Sequence, residues 1–125
     1  MTHTVNARRL YDALKPTQAD QDHKVCRVFV DRLWPRGVAR ADFQFDHWCK
    51  ELAPSPELRK WFDHRESRWK GFDERYRKEL HHKEQKQRMH DLMKEAGNRP
   101  VDLLYGAKDT EHNHAIVLAD VLQKL

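Results

Sequence analysis

The chain is poor in cysteine, in long apolar runs and in export signals, and each shortage excludes a class of protein. Only two of its 125 residues are cysteine. Cys26 and Cys49 stand alone, which fits neither a redox pair nor a zinc site, so free, buried thiols are expected. The absence of any run of about 18 apolar residues predicts no membrane span and no membrane partner. Met1–Val5 lacks the basic-then-apolar layout of a secretion signal, so a cytoplasmic location is expected.

Sequence motifs for cofactors and metals are missing too. The chain contains no GxGxxG, GxxxxGK, GxSxG or HExxH motif, so no nucleotide cradle, serine nucleophile or zinc-protease helix is indicated. His112 and His114 are two residues apart and would point to different faces of a helix. His81, His82 and His90 are better explained by a solvated helix face. The sequence therefore predicts no cofactor and no metal.

What is present is one heavily charged domain. Hydrophobic residues make up 38% of the chain and charged residues 35%, and the net charge is +4. A chain of 125 residues is expected to form a single domain over 1–125, with a modest core. The mild excess of basic residues favours association with phosphate-rich partners. These basic residues are mostly interleaved with acids, so a solvated helix face explains most of them.

Hydrophobic periodicity predicts strands that alternate with helices. Strands are predicted over Val5–Leu10, Lys24–Val30 and Val101–Tyr105. Helices are predicted to start at the Ser55 N-cap, to run from Glu66 to Ala96 and to close the chain from His114 to Leu125. Three segments complete the prediction: a loop over Asp12–His23, a strand or a helix over Phe43–Leu52, and a break at His81–Lys83 unless one long helix forms. The fold class expected is α/β, with a small, mostly parallel sheet flanked by helices.

The most informative stretch follows the second predicted strand. The apolar run that ends at Val30 stops in a loop with the sequence Asp-Arg-Leu-Trp-Pro-Arg-Gly, residues 31–37. Pro35 fixes a backbone angle and Gly37 permits a conformation closed to other residues, so this loop is built for one shape. If Lys24–Val30 and Val101–Tyr105 are parallel neighbours, both exit loops meet at the carboxyl edge of the sheet, where open α/β proteins bind ligands.

We therefore predict an anion pocket at this edge. Asp31 and His114 are the candidate catalytic groups, for orientation or transfer of a proton. The ligand-binding candidates are Arg32, Trp34 and Arg36 from the first loop, Lys50, Glu51, Ser55 and Arg59 around the start of the Ser55 helix, and Lys108, Asp109 and Asn113 before the last helix. Arginine suits an anion because its planar fork holds two oxygens. The N-terminus of the last helix adds unpaired N–H groups, and the Ser55 helix would add a second such terminus.

Each candidate also has a structural explanation. Asp31 and Arg32 could form an ion pair with each other, Trp34 could pack or shape its loop, and His114 could cap or pack. Asp109 and Asn113 are good helix-start residues without any role in catalysis.

Several blocks of this sequence resemble the YeaO-like bacterial family. They are residues 30–37, residues 50–59, Phe72–Tyr76 and residues 103–115, so the resemblance covers most of the chain from about residue 24 onward. It implies a small, soluble, cytoplasmic domain without an established reaction. Members of the wider group carry a Cys-His-Arg segment where this chain has Asn113-His114-Ala115. Only His114 carries over, which argues against shared thiol chemistry.

Three functions fit these observations. The first is an enzyme acting on a small phosphate, nucleotide-like or carboxylate substrate, and the second is a sensor that uses the same pocket without chemistry. The alternative is a non-catalytic nucleic-acid- or protein-binding module that uses the basic and aromatic residues of 65–78. Against it, Trp69, Phe72 and Tyr76 fall on one helical stripe and are expected in the core. The sequence leaves the oligomeric state open.

Overall fold

Four parallel strands form the centre of the computed structural model, which describes residues 4–15, 17–22 and 24–125. They are β1 (Val5–Arg9), β2 (Cys26–Phe29), β3 (His47–Trp48) and β4 (Val101–Tyr105). The sheet order is β1-β4-β2-β3. Val28 of β2 is in register with Leu103 of β4 on one side and with His47 of β3 on the other. The predicted α/β class and the parallel pairing of β2 with β4 are therefore confirmed.

Five α-helices connect and follow these strands in the described ranges: α1 (Gln18–Gln21), α2 (Pro56–Phe62), α3 (Trp69–Leu80), α4 (Lys83–Ala96) and α5 (His114–Gln123). Ser55 caps α2 as predicted, because its side chain accepts a hydrogen bond from the Leu58 N–H. The predicted break at His81 and His82 is confirmed, since α3 and α4 are separate. No helix of the described chain combines the length and apolar character needed to cross a bilayer.

Two stretches that the sequence left open or assigned to a loop form regular structure. The segment Phe43–Leu52 forms the short strand β3 and then a 3-10 turn, Lys50–Leu52. The loop prediction for Asp12–His23 is wrong at α1, where Thr17 and Asp20 form a capping box. This reciprocal pair of hydrogen bonds supports one helical turn without any apolar periodicity. Pro16 and His23, also assigned to that loop, lie outside the described residues, as does Met1–His3.

The two faces of the sheet are covered differently. Successive residues of a strand point to opposite faces, so Val28 and Leu103 pack against the helices in a core that includes Tyr76. Phe29 and Leu104 point the other way, into a smaller cluster with Leu10, Ala13 and Phe43. The second face is therefore closed by loops rich in aromatic residues. These loops place the segment after β2 beside the edge strand β3.

A buried arginine fastens part of this covering to the sheet. Arg27 of β2 and Asp20 of α1 form an ion pair at 3.3 Å, with side chains 4% and 2% exposed. Arg27 also donates from Nε to the Gln44 carbonyl at 2.9 Å and from Nη2 to the Ala13 carbonyl at 2.7 Å. A buried charge is tolerated when it is paired and hydrogen-bonded in this way. Arg27 is therefore explained as a structural residue.

Candidate functional site

Asp31 joins the ends of three strands. Its Oδ2 accepts a hydrogen bond of 2.9 Å from the Gly106 N–H, directly after β4. Its backbone carbonyl accepts a bond of 2.7 Å from Nε1 of Trp48, the last residue of β3. Its Oδ1 lies 3.1 Å from Nε2 of His114, the first residue of α5. The structure therefore brings the two predicted catalytic candidates together at the carboxyl edge of the sheet.

The tautomer of the neutral His114 ring follows from the two oxygens that face Nε2. Nε2 lies 3.1 Å from the Val30 carbonyl and 3.1 Å from Oδ1 of Asp31, and both partners are acceptors. A ring nitrogen that faces two acceptor oxygens has to carry the hydrogen, so in the neutral ring Nδ1 holds the lone pair. The side chains of His114 and Asp31 are 15% and 22% exposed. The pair thus fastens α5 to the end of β2 and leaves one ring nitrogen for other chemistry.

Arg32 faces a different set of partners. Its Nη2 donates to the carbonyls of Ala53 at 3.3 Å and Pro54 at 3.2 Å. Its Nε is buried and has no hydrogen-bond partner in the described structure. The alternative of an Asp31–Arg32 ion pair is not what forms, because Asp31 pairs with His114. Within the described residues the Arg32 guanidinium therefore has carbonyl partners and no carboxylate.

Tyr76 of α3 lies below this edge. Its hydroxyl donates to the Leu52 carbonyl, and its ring centroid is 6.4 Å from that of His114. Burial raises the pKa of Tyr76; the charges of Glu79 and Asp31 raise it further, and that of Arg32 lowers it. The phenol is therefore a neutral hydrogen-bond donor among three charged groups.

Glu79 fills the start of α2. Its carboxylate accepts from the Ser55 N–H at 2.9 Å and from the Ser55 hydroxyl at 2.6 Å. The sequence predicted that this helix N-terminus would serve the pocket, but the carboxylate of α3 already occupies it. Ser55 consequently acts as a cap and a bridge between α2 and α3.

The loop before α5 is organised by its own side chains. Asn113 accepts from the Ile116 N–H at 3.2 Å and donates to the Asp109 carbonyl at 3.0 Å. Oδ1 of Asp109 accepts from the N–H groups of Glu111 and His112. The Glu111 N–H is the main cause that lowers the pKa of Asp109. Asp109 and Asn113 thus hold His114 in place, in agreement with their interpretation as helix-start residues.

Trp34 belongs to the aromatic cluster on the face away from the helices. Its Nε1 donates to the Val38 carbonyl at 2.7 Å, and its ring centroid lies 6.1 Å from Phe29 and 5.8 Å from Trp48. The Arg40 guanidinium lies over the Trp34 ring at 4.2 Å. These contacts give Trp34 the packing and loop-shaping role that was the alternative to ligand stacking.

The remaining predicted residues are exposed. They are Arg36, Lys50, Glu51, Arg59 and Lys108. The Lys50 ammonium lies 5.2 Å over the Trp48 ring, and the Arg36 carbonyl accepts from the Tyr11 hydroxyl at 2.9 Å. In the part of the chain that the structure describes, none of the five side chains contacts Asp31 or His114. Their part in ligand binding stays a prediction.

Three residues of the site were not singled out from the sequence. Tyr76 was assigned to an apolar stripe, although a phenol in such a stripe needs a hydrogen-bond partner and so carries a signal. Glu79 gave no signal, because its partner is distant in sequence. Gly106 was assigned only to an exit loop; a Cβ there would lie 3.0 Å from Oδ2 of Asp31. Glycine is what lets the carboxylate reach the backbone.

Neither thiol supports nucleophilic chemistry at this edge. Both cysteines are free, with Cys26 buried and Cys49 half-buried. Burial raises the pKa of Cys26, and it raises the pKa of Cys49 to about 11. The thiolate is the reactive form, so a raised pKa removes it near neutral pH. Within the described ranges, no group of three or more His, Cys, Asp or Glu residues is arranged to hold a metal ion.

Comparison with known proteins gives a consistent family assignment. A family described as the inactive DUF488-N3 subclade matches residues 4–125. The protein YeaO of Escherichia coli K12 is 41% identical over 122 residues, covering 97% of this chain and 98% of that protein. Rv3073c of Mycobacterium tuberculosis H37Rv is 35% identical over 118 residues, covering 94% of this chain and 92% of the other. No solved structure matches. The chain therefore belongs to the YeaO-like family, within the inactive DUF488-N3 subclade.

Proposed function

We propose that this protein binds a small carboxylate- or phosphate-bearing ligand at the carboxyl edge of its sheet and does so without turnover. The Arg32 guanidinium is the group that would hold the anion. Asp31, His114 and Tyr76 would orient the ligand around it. The proposal keeps the predicted location and narrows the predicted set of cations to one half-buried arginine.

The observation that carries the proposal is the incomplete pairing of Arg32. Two carbonyls fix its Nη2, whereas its buried Nε has no partner in the described structure. A buried donor without a partner costs about 1–3 kcal/mol of free energy. An oxyanion that accepts from Nε would recover that cost. Because Nη2 is already anchored, the guanidinium would lose little side-chain entropy on binding.

Two observations favour binding over catalysis. The matching family is described as inactive. In addition, Asn113 stands where the resemblance to the wider group places a cysteine, at a helix N-terminus that would favour a thiolate. The cysteines that the chain does have are Cys26 and Cys49, whose pKa values are raised. An Asp–His pair remains, and its side chains bond to the backbone, namely the Gly106 N–H and the Val30 carbonyl.

The test is thermal unfolding against phosphates, nucleotides and carboxylates at fixed ionic strength. A ligand at 100 times its Kd stabilises the folded state by roughly 2.7 kcal/mol, or several degrees in Tm for a chain of this size. Arg32→Lys keeps the charge and removes the planar fork. Arg36→Ala removes an exposed guanidinium from the same loop and serves as the matched control.

We expect a selective Tm shift in the wild type that Arg36→Ala retains and Arg32→Lys loses. A shift that survives in Arg32→Lys but disappears in Arg36→Ala would move the site to the exposed loop. No shift with any anion would end the proposal. Measured turnover of the stabilising ligand would overturn its non-catalytic part.

A nucleic-acid-binding function has weaker support, because the basic residues of 65–78 are largely engaged. Arg77 pairs with Asp73 and Asp120, and Arg75 stacks over Trp61 at 4.0 Å. Phe72 and Tyr76 lie in the core, and the partly exposed Trp61 is in contact with the Arg75 and Arg68 guanidinium groups. Binding to single-stranded DNA that weakens steeply with salt would favour this alternative over the small-anion site.

A further inference from the structure

A concave surface lies between the edge strand and a helix, and its lining contains neither Asp31 nor His114. It is a groove of about 260 Å³ between β3 with its 3-10 turn and α4. Its apolar lining includes the half-buried Trp48 and the buried Leu52 and Leu92. Glu51 lines this groove, although the sequence placed it among the residues of the anion pocket. The groove is therefore a surface of its own, with a lining from different elements.

The charge of the lining is opposite to that of the chain. Glu51, Asp91 and Glu95 contribute three carboxylates, whereas Arg88 contributes one guanidinium. Arg88 donates to the side chain of Gln85 at 2.8 Å. In the part of the chain that the structure describes, the carboxylates of Glu51 and Glu95 form no ion pair. The groove is thus locally acidic on a protein whose net charge is +4.

The backbone beside the groove is that of a sheet edge. β3 is last in the strand order and, among the described strands, pairs only with β2. An open edge presents backbone donors and acceptors to another extended segment. Peptide-binding domains use this arrangement: the peptide adds a strand to the edge, and a neighbouring helix contacts its side chains. The groove supplies both parts, β3 as the edge and α4 as the opposite wall.

We propose that this groove binds an extended, basic segment of a partner protein, added as a strand beside β3. Apolar side chains of that segment lie on the half-buried Trp48. Its Lys or Arg side chains reach Glu51, Asp91 and Glu95. This interaction uses neither Arg32 nor His114, although the groove residue Trp48 also donates to the Asp31 carbonyl.

The test uses three pools of hexapeptides with blocked ends and a zwitterionic fluorophore. All three have Val, Leu or Ile at alternate positions. The other positions hold Lys or Arg in the first pool, Glu or Asp in the second, and Ser or Thr in the third. Anisotropy measures affinity for the full chain, and ¹H–¹⁵N spectra with the basic pool locate the contact. The variant is Glu51→Gln with Glu95→Gln. Its control is Glu84→Gln with Glu111→Gln, two exposed carboxylates outside the groove lining.

We expect the basic pool to bind most tightly and to shift the amide signals of His47–Cys49. The groove variant should weaken this binding about five- to tenfold, as for two exposed charge pairs. The control, with the same change of net charge, should change the affinity less than twofold. Equal affinity for the basic and Ser/Thr pools would overturn the proposal, as would equal weakening in both variants. Amide shifts centred on Asp31 and His114 would also overturn it.

Discussion

Nε2 of His114 lies 3.1 Å from Oδ1 of Asp31, which links the start of the last helix to the loop after β2. The same carboxylate accepts a hydrogen bond from the Gly106 N–H through Oδ2. One aspartate therefore holds both strand exits and the helix at the carboxyl edge. This arrangement makes Asp31 and His114 structural residues whatever ligand the edge binds, so substitutions there need a stability measurement before any loss of binding is interpreted.

The first prediction concerns the coupling of these two residues. His114→Ala should lower the free energy of unfolding by about 1–3 kcal/mol, because it removes the donor to the Val30 carbonyl and the ring that lies 3.1 Å from Oδ1 of Asp31. Urea unfolding of His114→Ala, Asp31→Ala and the double variant measures the coupling, which we expect to exceed about 0.5 kcal/mol. Lys108→Ala, an exposed change nearby, is the control. Strictly additive effects would show that the pair does not interact.

The second prediction tests the close approach at Gly106. A Cβ there would lie 3.0 Å from Oδ2 of Asp31, so Gly106→Ala should displace the carboxylate and lengthen its bond to the backbone. We expect a loss of about 1–2 kcal/mol, or several degrees in Tm. In an Asp31→Ala background the same substitution should cost clearly less. An equal cost in both backgrounds would place the strain elsewhere in the loop.

The third prediction concerns the thiols. Burial raises the pKa of Cys49 to about 11, with the Glu51 charge as a smaller cause. At pH 8 only about 0.1% of such a thiol is ionised, against roughly a quarter of an unperturbed one. Alkylation of the folded protein by iodoacetamide, followed by mass spectrometry, should therefore be about two orders of magnitude slower than in urea. A folded-state rate within tenfold of the unfolded rate would revive thiol chemistry as a candidate function.

How far the sequence predicts this molecule depends on the range of the interactions involved. Lys24–Val30 and Val101–Tyr105 are short apolar runs bounded by turn residues, and the rules for parallel sheets then place their exits together. That reasoning predicted that Asp31 and His114 lie at the same edge of the sheet, where the structure places them. The break between α3 and α4 is also readable, because the apolar stripe changes at His81.

The unpredicted features are long-range or are made by polar groups alone. Thr17 and Asp20 form a capping box, and Asp20 also pairs with Arg27, so α1 forms without hydrophobic periodicity. Glu79 belongs to α3 and accepts hydrogen bonds at the start of α2. Helical periodicity predicts which face of a helix a residue lies on, but not which distant residue its side chain contacts. Exposure of Arg36 likewise depends on the path of the whole loop. A sequence pattern therefore brings the strand exits to one edge, and the part of the exposed cations in ligand binding stays a prediction.

The fourth prediction is a pH dependence in the α3–α5 contact. Asp120 accepts from Arg77 at 2.8 Å and pairs with Lys124 at 3.1 Å, and these bonds, Arg77 first, lower its pKa. A depressed folded-state pKa adds stability above the unfolded value of about 3.9, and that stability is lost as the pH falls through the folded value. Asp120→Asn should therefore be less stable than wild type at pH 7, by less than about 1 kcal/mol for a partly exposed pair. The difference should shrink below about pH 4. Urea unfolding from pH 2 to pH 7 measures it, with Glu74→Gln as the control for removing one carboxylate. A difference that stayed constant over this range would show that Asp120 acts through packing, because only a charged interaction is lost on protonation.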